Sequence, residues 1–243
     1  MDHQSRHAKL ITERQEGTGQ WLIDSTVYRD WVNTATKTLF CSGSPGVGKS
    51  ICASIVIDNL LSTLGRQPEI GIAYIYCDYK RHGKEELGNI HLSLLKQLAQ
   101  TRSSLPRSLS ELHERCVENH KRPSSEEVLE TICSVTKLYR RVFVIIDALD
   151  EFRAFDNCQT RLMEEIFHIQ SRVGLNLFVT SRVTKTTETT AAFHDNRLEI
   201  RASEDDITRY LQANMFRLPG FVNRNSALQE EIITEIVRIA DGM

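Results

Sequence analysis

The sequence predicts an α/β fold, a parallel sheet covered by helices with a ligand site at the carboxyl ends of its strands, and three observations carry that reading. Apolar, strand-like segments alternate with segments of helical periodicity along most of the chain. One such strand, Thr38 to Ser42, breaks into a glycine-rich loop and then an apolar-faced helix. Another, Arg141 to Asp147, is the most hydrophobic stretch of all and ends in an acid.

The loop runs Gly43-Ser44-Pro45-Gly46-Val47-Gly48-Lys49-Ser50, and Gly43, Gly48, Lys49 and Ser50 fit the pattern G-x-x-x-x-G-K-[ST]. In that pattern backbone N–H groups wrap phosphates, the lysine reaches the outer ones and the hydroxyl holds Mg²⁺. A side chain at the glycine positions would keep the backbone from close approach. A loop that feeds a helix start also offers free N–H donors with a favourable dipole. The helix is expected from about Lys49 to Leu64, with Ile51, Ala53, Ile55, Val56 and Leu60 on its apolar face and Gly65 as its stop. A plain glycine-rich turn would match these fixed positions only by chance, and the chain has just 12 glycines.

The remaining elements follow in order. Residues 1–16 form a polar leader, and Gly17-Thr18-Gly19-Gln20-Trp21-Leu22 marks the passage to ordered structure. Asp24 or Ser25 is placed to cap a short helix with Val27, Tyr28, Trp31 and Val32 on its apolar side. A second strand, Gly71 to Tyr79, has the unbroken apolar and aromatic character of a strand covered on both faces. Helices are expected near Glu85 to Gln100, with Leu87, Ile90, Leu94, Leu95 and Leu98 on one stripe, at Ser108 to Glu118, and at Ser124 to Leu138. The last of these opens with Ser124 and Glu127 at capping-box spacing. After the Asp147 strand come a helix from about Gln159 to Gln170, a strand Asn176 to Arg182 and a Thr-rich connection, Thr184 to Thr190, read as solvated with at most a short helix before His194. A short strand, Leu198 to Arg201, precedes a helix capped by Ser203 with Asp206, and a last helix spans about Ser226 to Ala240.

Composition excludes several classes. A length of 243 residues, 40% hydrophobic and 26% charged, suits one large α/β domain or one with a small appendage. A net charge of −2 gives no general field for nucleic acid or an acidic membrane. Cys41, Cys52, Cys77, Cys116, Cys133 and Cys158 are scattered through apolar segments and read as reduced core thiols, with no paired Cys/His spacing for zinc. The leader lacks the apolar core of a signal peptide, and no apolar run is long enough to span a bilayer, so a soluble, cytoplasmic protein is expected.

The acids fall where a parallel sheet wants them. Asp147, after four apolar residues, is placed to hold Mg²⁺, as the Walker B aspartate does in phosphate-loop NTPases. Asp150 and Glu151 follow on the loop, positioned either to orient or deprotonate an attacking water or merely to cap the next helix. Ala148 occupies the position directly after the Walker B acid, where many enzymes of this division carry the catalytic glutamate.

The loop, the run Ile146-Asp147-Ala148-Leu149-Asp150-Glu151, the strand end Thr180-Ser181-Arg182 and the Gly-Thr-Gly-x-Trp-Leu entry together resemble the NACHT ATPases of the STAND class, most of all the nephrocystin-like modules abundant in filamentous fungi. The resemblance covers Gly17 to Met243. It implies a three-layer P-loop NTPase with sheet order 5-1-4-3-2 and, in Arg182, the sensor of the γ-phosphate. Val183 stands where the family often has proline. It further implies ATP or ADP with Mg²⁺ as cofactors, an NTPase core over 17–202, and in 203–243 the start of a helical subdomain that continues in relatives. An effector domain upstream and a repeat sensor downstream accompany the module in those relatives. The function implied is a nucleotide-controlled switch for signalling assembly in fungal defence or self/non-self recognition, with slow ATP hydrolysis. A chain ending at Asp241-Gly242-Met243 is expected to hold nucleotide loosely and to self-associate through Leu228, Ile232, Ile236 and Ile239.

Two other functions use the same loop. A phosphotransferase needs an acceptor pocket, for which no signature is evident. A scaffold that binds nucleotide without hydrolysis has no need of Lys49, Ser50, Asp147, Asp150 and Glu151 together. Membrane and nucleic-acid partners are not expected, and a DNA-dependent ATPase is the weaker alternative.

Overall fold

The structure, a computed structural model, describes residues 2–78, 85–152 and 158–240. Strands β1 (Thr38–Ser42), β2 (Ile70–Tyr76), β3 (Arg141–Asp147), β4 (Asn176–Ser181) and β5 (Arg197–Glu199) form one parallel sheet in the order β2-β3-β4-β1-β5. This is the expected 5-1-4-3-2 order, and it brings the ends of β1, β3 and β4 side by side. Tyr79, expected to close the second strand, lies outside the described residues, as do Asp241 to Met243.

A parallel sheet must be covered on both faces, and the strand sequences are written for that. Along β3, Val142, Val144 and Ile146 enter one apolar cluster, while Phe143 and Ile145 enter the other. Helices α1 (His3–Glu13), α2 (Gln20–Asp24), α3 (Thr26–Asn33) and α4 (Lys49–Thr63) supply the second of these clusters. The first is supplied by α5 (Glu85–Gln100), α7 (Ser125–Thr136) and α8 (Cys158–Val173), with α6 (Arg107–Glu118) packed on α7. Trp31 of α3 is fully buried, lies edge-on to Phe143 and Phe178, and satisfies its indole N–H on the carbonyls of Lys37 and Leu177. The capping box expected at Ser124 and Glu127 is present. Cys41, Cys52, Cys77 and Cys133 are buried and Cys116 is partly exposed; the side chain of Cys158 lies outside the described set.

At the sheet edge, β2 exposes backbone that side chains must satisfy. Gln97 of α5 accepts from the Tyr74 N–H at 3.0 Å and donates to the Tyr74 carbonyl at 2.8 Å. His3 of α1 accepts from the Tyr76 N–H through Nδ1 at 3.2 Å. Gln97→Leu keeps a side chain of similar size but strips partners from two buried backbone groups. A loss of about 2 kcal/mol is expected on that account, read as a lower urea midpoint with unchanged slope.

The chain entry differs from the sequence reading, while the Thr-rich connection and the tail add detail to it. Order begins before Gly17: α1 starts at His3 with Asp2 as its cap, buries Leu10 and lays His7 against Tyr74 and Tyr76. Its contacts with β2 are made by His3 and His7, which a hydrophobicity pattern does not count. The Thr-rich connection holds the short helix that the sequence allows before His194. Thr184 and Thr187 cap each other reciprocally to start α9 (Lys185–Thr189), and Phe193 beyond it is buried, stacked on Phe40 at 4.4 Å. The tail forms the two expected helices with a short one between them: α10 (Glu204–Asn214), α11 (Gly220–Asn223) and α12 (Ser226–Ala240), and Phe216, Phe221 and Ile239 there are exposed. No helix among the described residues is long and apolar enough to cross a membrane.

Candidate functional site

The loop after β1 owes its shape to three glycines with different duties. Gly46 and Gly48 have φ of 81° and 96°, left-handed values that strain any residue with a Cβ, and an added Cβ at either meets nothing within 4 Å. Their loop face is therefore open. At Gly43 the reason is space, since a Cβ would come within 2.8 Å of Val47 Cγ1 and 2.9 Å of the Ile200 carbonyl. Gly48 caps α4, and the first amides of that helix have no carbonyl one turn back. They face a cleft of about 620 Å³, lined on the loop side by Pro45, Gly46, Gly48, Lys49, Ser50 and Ile51. Ala148, Asp150, Glu151 and Arg182 line the opposite side.

Lys49 donates through Nζ to the carbonyls of Gly43 and Ser44, each at 2.9 Å, so the ammonium lies across the loop. Burial pulls its pKa down, against the nearby carboxylates of Asp150 and Asp147, which favour the charge. Ser50 Oγ donates to Asp147 Oδ2 at 2.6 Å. Asp147 is buried behind Ser50; burial raises its pKa, opposed by hydrogen bonds from Ser50 and Thr180. A hydroxyl and a carboxylate oxygen already in contact are the hard donors a magnesium ion takes, and the open loop face suits the phosphates that would supply the rest. The residues fit both groups.

The chain turns sharply after Asp147. Ala148 sits at φ 54°, ψ 50°, a left-handed conformation costing an L-residue roughly 1–2 kcal/mol. A 3₁₀ turn, Leu149–Glu151, follows and delivers both loop acids to the cleft. They are not equivalent. Asp150 accepts from the Arg182 N–H at 2.8 Å and from its guanidinium Nε at 2.5 Å. Burial works against charge at Asp150, but those Arg182 bonds overcome it and hold the carboxyl below its ordinary range. Glu151 moves the other way, raised first by partial burial and then by the charges of Asp150, Asp147 and Asp78.

Beside the first cleft lies a second of about 540 Å³, more apolar, sharing Gly46, Gly48 and Ile51 with it. Thr18, Gly19 and Trp21 line it from the chain entry, Val47 from the phosphate loop, Ile207, Tyr210 and Leu211 from α10, and Ile236 from α12. Asp206 clamps its two walls together, accepting from the Gly19 N–H at 3.0 Å and the Trp21 indole N–H at 3.1 Å. Gly19 has a left-handed φ of 72°, and an added Cβ would stand 2.3 Å from Ile55 Cδ1.

Of the candidate site residues, Pro45, Gly46, Gly48, Lys49, Ser50, Asp150, Glu151 and Arg182 line one cleft, Asp147 is buried behind Ser50, Val47 lines the neighbouring cavity, and Gly43 and Ser44 hold the Lys49 ammonium through their carbonyls. Sequence reasoning missed Asp206, taken only as part of a helix cap, and Thr180. The signal for Thr180 was available: a polar residue at a buried position of an apolar strand requires a partner.

This fold with this loop defines a P-loop NTPase. Residues 17–182 match the family described as nephrocystin 3, N-terminal, and the chain belongs to that family. Among solved structures, the Orc1 protein of Aeropyrum pernix in complex with DNA is similar at 14% identity and a TM-score of 0.51, over 80% of this chain and 48% of that one. The Walker-type ATPase paby2304 of Pyrococcus abyssi is similar at 14% identity and a TM-score of 0.51, over 90% of this chain and 64% of that one. At that identity the likeness is one of fold, and the chain spans about half the length of the first. None of the curated proteins matches this sequence.

Proposed function

We propose that this chain binds ATP and ADP with Mg²⁺ and serves as a slow, nucleotide-controlled switch of the NACHT type, for signalling assembly in fungal defence or self/non-self recognition. The observation that carries the nucleotide reading is the convergence of Lys49, Ser50, Asp147, Glu151 and Arg182 on one cleft. The switch and its biological setting rest on the sequence resemblance. In this reading the amides at the start of α4 and the Lys49 ammonium bind the phosphates, and the cavity beside Trp21 takes the base. Ser50 and Asp147 hold Mg²⁺, which when bound neutralises phosphate charge. Glu151, with its raised pKa and free approach to the cleft, takes the proton of the attacking water. Arg182, half-exposed and held by Asp150, stands ready to exchange that partner for the terminal phosphate. Residues 17–202 act as the NTPase core and 203–243 as a helical subdomain, whose exposed Phe216, Phe221 and Ile239 suit contact between copies or with other domains.

Calorimetric titration of the purified chain with ATP and with ADP, each with and without Mg²⁺, tests this. Weak, quickly reversible binding that strengthens with Mg²⁺ is expected, together with slow phosphate release. Absence of binding to either nucleotide would end the proposal. Transfer of phosphate to an added small molecule, with no matching hydrolysis, would favour a phosphotransferase instead.

A further inference from the structure

A hydroxyl outside the sequence motif joins the metal carboxylate to the turn that carries the loop acids. Thr180 lies near the end of β4, fully buried, in a strand whose preceding residues Leu177, Phe178 and Val179 are core. Its Oγ1 donates to Asp147 Oδ1 at 2.6 Å and accepts from the Ala148 N–H at 2.9 Å. Asp147 therefore has one carboxylate oxygen fixed by Thr180 and the other turned to Ser50. The same oxygen satisfies the amide of the left-handed residue that aims Asp150 and Glu151 at the cleft.

We propose that Thr180 is a positioning residue for magnesium: its hydroxyl orients the Asp147 carboxylate toward Ser50 and holds the Ala148 turn, without itself touching nucleotide or metal. The inference rests on the reading of the cleft as a Mg²⁺–nucleotide site. Outer partners that hold a ligating carboxylate commonly govern metal affinity as much as geometry does, and their loss costs about 10–100-fold. Valine at this position matches the shape of threonine but can neither donate to Asp147 nor accept from Ala148.

The test is calorimetry of the full chain, of Thr180→Val and of Thr180→Ser, with ATP in Mg²⁺ and with ATP in EDTA, alongside thermal melting of each protein. Thr180→Val is expected to lose about tenfold or more of the affinity gained from Mg²⁺ while its affinity in EDTA stays parental. Thr180→Ser, which keeps the hydroxyl, should retain the full Mg²⁺ effect even if its melting point falls from the lost methyl. Equal losses in Mg²⁺ and EDTA would make Thr180 a packing residue and overturn the proposal, as would an intact Mg²⁺ effect in Thr180→Val. If the parental chain shows no Mg²⁺ effect, the reading of the site fails first, and the parental arm reveals that separately. Should Thr180→Val not fold, Thr180→Ala takes the same test, since it removes the hydroxyl without adding an apolar branch.

Discussion

Lys49→Ala is expected to lower ATP affinity at least tenfold, about 1.4 kcal/mol. The loop amides are fixed by the left-handed backbone at Gly46 and Gly48, and they stay in place when the side chain is removed. What goes is the mobile positive charge. In the structure Nζ rests on two loop carbonyls, Gly43 and Ser44, which hold it beside the cleft. Its removal also leaves Asp150 and Glu151 on the far wall facing incoming phosphates without that cation between them. The loss should be greater for ATP than for ADP, because the ammonium serves the outer phosphates. Calorimetry on a variant shown by circular dichroism to be folded provides the check, and unchanged affinity would refute the phosphate-cradle reading.

Glu151→Gln is expected to slow hydrolysis about a hundredfold or more while ATP still binds, since an amide cannot take a proton from water. The parental rate should also report the base. A carboxylate must be ionised to accept the proton, so turnover falls as pH drops through the Glu151 pKa. That pKa lies above the ordinary glutamate value of 4.5, raised by burial and by the three neighbouring aspartates. The glutamine variant should lose this acidic limb. Asp150→Asn is the informative companion, because both Asp150 oxygens are engaged by Arg182 and its charge serves to hold that side chain. It should change the preference for ATP over ADP more than the proton-transfer step. Single-turnover hydrolysis across pH, with nucleotide binding measured in parallel, separates the two acids. A Glu151→Gln protein that hydrolyses at the parental rate with the same pH profile would remove the base assignment.

The legible parts of the fold were those with local causes. Strand β3 could be read to the residue because seven consecutive positions are strand-like and its end coincides with a charge that cannot continue into the core. The box at Ser124 and Glu127 uses residues three apart, and Gly46 and Gly48 declare a backbone that only glycine adopts freely. Helix α1 was not legible, because its burial depends on His3 and His7 meeting Tyr76 some seventy positions later. Phe193 stands in a polar neighbourhood, and its place in the core is set by Phe40 of β1, far away in sequence.

By itself, then, the sequence determined the layered parallel sheet, the phosphate loop, the acidic strand end and the family resemblance, because periodicity, glycine conformation and short motifs are properties of neighbouring residues. Only the tertiary structure decided how the two loop acids divide. Asp150 and Glu151 are adjacent and chemically alike, and what separates them is an arginine thirty-two residues away that binds one and not the other. The clamp from Asp206 to Gly19 and Trp21 spans more than 180 residues, and the bridge from Thr180 to Asp147 and Ala148 crosses between strands. Such bonds form where the sheet order brings strand ends together, and that juxtaposition is fixed by packing on both faces of the sheet, which no local stretch of sequence records.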